Sequence, residues 1–305
     1  MRLSVIACVV VLALPLVAHG AALTDASAKW TAGDKSGAIA AWRGVVSTSK
    51  DPKELDNARS RLADALLATG DTAGAVAVWN ELIQTSAQPT LLATAKMRVA
   101  YCATKQKVPV KDQIAAFMRV VNEHPTTAQA RTCLLRVAYL KDKSEPKNAA
   151  AAFGEVSARY PGTREAAEAD YRRGMVCERG RQNIDEAIRA LEAAAENRQA
   201  TSFVRQAAAV EAGYARIMKY MGSASKPDVQ AAADYIKRII PTVTDCELLA
   251  RARLACAALD RDQPRERDPL HRRLRRELQV VLRPERVAHL RELLVRQAAD
   301  RAERG

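Results

Sequence analysis

The sequence predicts an all-α chain: an α-solenoid of about six helical hairpins followed by a C-terminal helical pair. Three observations predict it. Six residue pairs four positions apart end in an aromatic residue or Leu: Ala38/Trp42, Ala75/Trp79, Gln113/Phe117, Ala149/Phe153, Ala187/Leu191 and Ala231/Tyr235. The large members advance by 37, 38, 36, 38 and 44 positions, a period that marks stacked units, each burying its apolar face against the next. Composition agrees, since 48% hydrophobic but only 4% aromatic residues suit helices packed through Ala and Leu better than a sheet sandwich.

The N-terminus comes first. Met1 and Arg2, the apolar run Leu3–Val17 and the small-residue exit through Gly20 and Ala22 match a secretory signal peptide over 1–22. The run is short for a bilayer span of about 20 residues, so cleavage near residues 20–22 is expected over a retained anchor. Val5, Ile6, Ala7 and Cys8 resemble a lipoprotein box, but Cys8 sits inside the apolar run, not at its end.

The repeat region then runs from 23 to 259. In its first two units Ala38, Ile39, Trp42, Val45, Val46 and Ala75, Val76, Trp79, Leu82, Ile83 follow helical spacing. Each is preceded by Gly-Asp, Gly33–Asp34 and Gly70–Asp71, where Gly suits a left-handed helix end and Asp the next helix start. The compact residue gives clearance for two helices to approach, and the large one fills the gap. Pro89, Pro125, Pro161 and Pro241 are expected to end the second helices. The first helices are expected at 55–69, 90–104, 127–140, 164–177, 202–221 and 246–259. Without the signal five Cys remain, at 102, 133, 177, 246 and 256, an odd set with no CxxC, expected as mainly free thiols. Cys246 and Cys256 are expected on one helix, about 15 Å apart and out of disulfide reach.

These residues resemble the tetratricopeptide repeat (TPR) family. The likeness is fullest over 148–174, where Ala149, Phe153, Val156, Tyr160, Pro161, Gly162, Thr163, Ala166, Ala169, Tyr171 and Gly174 stand. It is similar to the repeats of bacterial periplasmic and outer-membrane assembly proteins, the Tol-Pal coordinator among them. The units here are longer than the family's usual 34 residues, the fifth lacks its Pro, and the sixth is displaced by residues 222–227. The resemblance implies a right-handed superhelix whose first helices line a concave groove for a protein or peptide client. Arg98, Tyr101, Arg136, Tyr139, Arg172, Arg173, Tyr214 and Arg216 are the candidate groove residues, Arg and Tyr being the types that carry binding energy at partner surfaces.

The last segment, 260–305, changes character. Lys237 is the last lysine, and the basic residues that follow are all Arg. After the charged break at 260–268 come Leu270, Leu274, Leu278 and Leu282, then Pro284 and Val287, Leu290, Leu294 and Ala298, two amphipathic helical patterns. Three accounts stay open: a polar-faced cap on the last repeat, an Arg-rich interaction helix, or an out-of-frame reading of the gene. In the second account Arg272, Arg273, Arg275 and Arg276 meet anionic lipid, an envelope polymer or an acidic partner.

The +13 net charge is shared, thirteen Arg against nine acids in 260–305 leaving +4 there. No zinc module or aromatic-interleaved basic groove is visible, so no nucleic-acid partner is expected. The sequence has four His and no HExxH, GxxxxGK or GxSxG, and no metal, cofactor or enzymatic activity is expected. The sequence thus points to an exported adaptor of the bacterial periplasm or outer membrane, with attachment to an anionic envelope surface through the Arg-rich tail as the alternative.

Overall fold

Residues 19–106, 108–180, 183–220 and 226–261 are described by the structure, a computed structural model. Among them are thirteen α-helices and no strand. They fall into two units divided between Asn148 and Ala149. The first holds α1 (His19–Thr31), α2 (Lys35–Thr48), α3 (Pro52–Ala68), α4 (Thr72–Thr85), α5 (Pro89–Lys105), α6 (Val110–Glu123) and α7 (Ala128–Ser144). The second holds α8 (Ala149–Arg159), α9 (Arg164–Gly180), α10 (Ile184–Glu196), α11 (Ser202–Tyr220), α12 (Lys226–Ile239) and α13 (Cys246–Arg261). The division separates α7 from α8, the helices of the expected fourth hairpin. The core of the expected signal peptide and the Arg-rich tail lie outside the described residues, and α1 begins within the expected signal exit.

The turns show why the helices stop where they do. Gly33 and Gly70 take φ of +88° and +94°, a left-handed conformation that only Gly adopts at no steric cost. After each, the Asp N–H closes back on the preceding helix, Asp34 to the Lys29 carbonyl and Asp71 to the Leu66 carbonyl, both at 2.9 Å. The same Asp side chains then cap the next helices, accepting from the Gly37 and Gly74 N–H at 2.8 Å. A second turn type occurs once in each unit. Thr127 and Thr163 each donate to the carbonyl three residues back (His124, 2.8 Å; Tyr160, 2.7 Å) and accept from the N–H three residues ahead.

One proline acts differently from expectation. Pro89 opens α5 at its first turn, where no N–H is needed, while α4 has already ended at Thr85. Pro241 lies in a 3-10 turn after α12, and Pro125 and Pro161 follow α6 and α8 as expected.

The compact–large pairs occupy matching buried places. Ala38, Ala75, Ala149 and Ala187 are fully buried, as are Trp79, Phe117, Phe153 and Leu191; Trp42 and Gln113 are nearly so. The sixth pair is corrected by one residue. Ala231 is exposed and Tyr235 only half buried, whereas Ala232 and Ile236 are buried. Gly contacts confirm the equivalence: a Cβ on Gly174 would lie 2.4 Å from Leu191 Cγ, and one on Gly213 2.6 Å from Ile236 Cγ1. Gly174→Ala is therefore expected to destabilise the chain by about 1–3 kcal/mol despite Ala's better helix propensity. By contrast Gly44, in α2 with open space around its Cα, should gain about 0.5–1 kcal/mol as Ala. Chemical denaturation of the two variants checks the opposite signs.

The thiols Cys102 and Cys133 are buried and unpaired, and burial pushes the Cys133 thiol up to about 12. They behave as small core residues. Cys246 and Cys256 share α13 as expected.

Within each unit every helix packs on the next in sequence. In addition α1 reaches α3, α5 reaches α7, α9 reaches α11 and α11 reaches α13. Among the described residues the second helices of successive hairpins make no comparable contacts. Successive layers therefore converge on the side of the first helices, and this side forms the inner wall of each stack.

Candidate functional site

In the first unit the wall is carried by α3, α5 and α7, and its cross-helix partners stand about one repeat apart. Asp64 on α3 pairs with Arg98 Nε on α5 at 3.4 Å, with both side chains more than 40% exposed. Thr94 on α5 accepts from Gln129 Nε2 on α7 at 2.9 Å. Arg136 on α7 lies over the Tyr101 ring, its guanidinium carbon 5.7 Å from the ring centroid. The Tyr101 ring in turn meets Phe117 edge-on at 5.2 Å, so the core aromatic layer supports the wall. Asp64, Arg98, Tyr101 and Arg136 thus form a row running across three helices. Burial raises the Asp64 carboxyl and the Tyr101 phenol above their ordinary values, opposed in both cases by the neighbouring guanidinia.

Beside this row a cavity of about 430 Å³ opens between α3 and α5, lined by Lys53, Asn57, Ser60, Arg61, Gln88 and Leu91 among others. One edge is fixed by Asp56, which is 6% exposed and accepts from Ser86 Oγ at 2.7 Å and Gln88 Nε2 at 3.0 Å. These bonds pin the α4–α5 turn to α3 and preorganise the cavity rim.

The structure sorts the eight sequence-derived candidates. Arg98, Tyr101 and Arg136 come together, with half-buried Tyr139 one turn beyond Arg136 on α7. In the second unit Tyr214 is only 7% exposed, its hydroxyl donating to the Arg251 carbonyl at 2.9 Å, so it is a packing residue. Arg173 is turned to Glu186 on α10. Arg216 pairs with Glu192 on α10 and covers the Tyr235 ring on α12 at 4.8 Å. Both arginines thus tie a first helix to second helices. Arg172 lies over the ring of its neighbour Tyr171 at 5.8 Å. The tail arginines Arg272, Arg273, Arg275 and Arg276 lie outside the described residues.

Helix geometry explains the split. Neighbouring residues point about 100° apart, so Arg172 and Arg173 cannot both face the wall, nor can Tyr214 and Arg216, two apart. Residues three apart share a face, as Arg98/Tyr101 and Arg136/Tyr139 do. Asp64, Thr94 and Gln129 were missed, although each stands 34 or 35 residues from its partner, one repeat away.

A titratable tie lies at the end of the third hairpin. Lys96 Nζ donates to Glu123 Oε2 at 2.5 Å and lies 3.2 Å from His124 Nε2. Burial, then the Lys96 charge, lowers the His124 pKa, and the Lys96 hydrogen bond lowers that of Glu123. Both folded-state values lie below the unfolded ones, so the unfolded chain takes up protons first. The stabilisation is present above about pH 6.5 for His124 and about pH 4.5 for Glu123, and is lost as pH falls through the folded values. Between about pH 7.5 and 5.5 the melting temperature is expected to fall, and by less in His124→Gln.

Among the described residues no group of three or more His, Cys, Asp or Glu could hold a metal ion. Fold and wall together define the class: an all-α stack of helical hairpins presenting a polar, arginine-bearing inner face. No protein-family model matches the chain, and no curated protein matches it. Similar solved structures include BtubC (BKLC) from P. vanneervenii, at 15% identity and a TM-score of 0.48, covering 83% of this chain and 96% of that one. A tetratricopeptide repeat protein from Parabacteroides merdae is similar at 11% identity and a TM-score of 0.47, over 84% and 96% of the two chains. YrrB, a TPR protein with an unusual peptide-binding site, is similar at 15% identity and a TM-score of 0.42, over 70% and 97%.

Proposed function

We propose that the chain is an exported adaptor that binds a protein segment along the first-helix wall and positions it without chemical change, in assembly or maintenance of the bacterial cell envelope. One observation carries this reading. The row Asp64, Arg98, Tyr101 and Arg136 is held in place by cross-helix contacts while its polar groups stay partly open to solvent. Such a wall offers directional groups whose ordering cost is met by folding, which favours capture of an extended chain. The export half rests on the signal-like N-terminus and the resemblance to envelope TPR proteins.

Photo-crosslinking residues placed in living cells test it. Asn57, Thr94 and Thr132 lie on the first helices, while exposed Ala77 and Arg119 lie on second helices. Adducts with envelope proteins are expected from the first three positions and not from the last two. Equal yields from both sides would remove the wall, and cytosolic partners alone would remove export.

A further inference from the structure

We infer that Arg136 anchors an acidic side chain of the bound segment, making the first unit's wall selective for a protein stretch that carries Asp or Glu. This rests on the wall being the binding face and adds the chemistry of what binds there.

The inference starts from a charge count over packed neighbours. The arginines and lysines that tie α3 and α5 to their surroundings have carboxylates: Arg59 with Glu81, Lys96 with Glu123, Arg98 with Asp64. Arg136 has none among the described residues. Its guanidinium rests on the Tyr101 ring, and its Nε, like those of Arg59 and Arg98, is buried without a hydrogen-bond partner. A guanidinium has five N–H donors in a planar fork and stays charged at any working pH. No carboxylate of the described residues neutralises this charge, so an acidic side chain arriving at the half-exposed fork would make the pairing that Arg59, Lys96 and Arg98 already have.

Geometry favours a carboxylate over a neutral group. Tyr101, backed edge-on by Phe117, supports the guanidinium and limits its rotamers, so little ordering remains when an acid pairs with it. The row holds two guanidinia and one carboxylate, Arg98, Arg136 and Asp64, and Asp64 is engaged by Arg98. The row therefore has an excess of one positive charge at Arg136. An acidic side chain complements it, and a basic one would meet repulsion.

The test uses the full chain and two labelled peptides, Gly-Ser repeats bearing Glu at every third position and the same repeats bearing Gln, followed by fluorescence anisotropy. The Glu peptide is expected to bind more tightly. Arg136→Gln should weaken it about tenfold, the loss of one charge-assisted contact, and leave the Gln peptide unchanged. Arg119→Gln removes an exposed charge of the second-helix side and should change neither. Arg136→Lys, which keeps charge but not the flat fork, should fall between. Equal binding of Glu and Gln peptides to the unaltered chain overturns the anchor, a result that does not depend on any variant folding. If Thr94 still crosslinks its cellular partner in that case, the wall reading stands and only its acid selectivity is lost. Absence of crosslinks from the wall sinks both.

Discussion

Trp79→Ala is expected to cost about 3–5 kcal/mol, the largest single loss among the large members of the repeating pairs. Trp79 is fully buried and belongs to one apolar cluster with Ala38, Trp42, Leu62, Ala63, Ala75, Leu82 and Ala95, residues drawn from α2, α3, α4 and α5. Because so many of these neighbours are Ala, few side chains nearby can swing into the space an indole leaves, and the cavity stays open. Tryptophan serves here for volume and not for its N–H, since Nε1 of both Trp42 and Trp79 is buried without a partner. Trp79→Phe should therefore cost less than about 1.5 kcal/mol, because it keeps most of the ring and sheds an unsatisfied donor. Phe117 and Phe153 already fill the corresponding places in later layers. Urea denaturation of the two variants distinguishes the accounts: equal losses for Ala and Phe would mean that the indole N–H matters and that layer filling does not.

The same regularity decides what was legible beforehand. Large side chains at a period near 37 have to be buried, so the pairs up to Ala187/Leu191 could be read without coordinates. The sixth was displaced by one because Ala231/Tyr235 and Ala232/Ile236 have the same spacing, and spacing alone does not choose between neighbours. The choice is made by Gly213, whose missing Cβ leaves room for Ile236. Pro89 was misassigned for a related reason: proline fits the first turn of a helix as readily as the space after one, and only the hydrogen bonds of the α4–α5 turn decide. In the candidate site, residue type picked out Arg98, Tyr101 and Arg136, which the fold brings into one row. It also drew in Arg173 and Arg216, whose partners Glu186 and Glu192 lie on a neighbouring helix. Residue type says which groups are able to bind a partner, and the direction of each side chain decides which of them stay on the first-helix side.

Glu211→Ala is expected to cost about 2–4 kcal/mol and to loosen the last described helix selectively. Glu211 is 3% exposed and its Oε1 lies 2.8 Å from Arg251 Nη1, which joins α11 to α13. Arg251 also covers the Tyr214 ring at 5.4 Å, and the Tyr214 hydroxyl donates to the Arg251 carbonyl. Truncating Glu211 leaves a guanidinium packed against an aromatic ring without its counter-charge. With a quarter of its side chain still exposed, Arg251 can recover some hydration, which keeps the loss below that of a fully sealed pair. Replacing both partners, as Glu211→Leu with Arg251→Met, should recover most of the stability, because two desolvated charges give way to apolar contacts of similar size. Hydrogen exchange supplies the local readout: amides of α13 should exchange faster in Glu211→Ala while those of α9 keep their protection. Uniform loss of protection across the second unit would mean that the pair supports the whole stack and not the docking of its last helix.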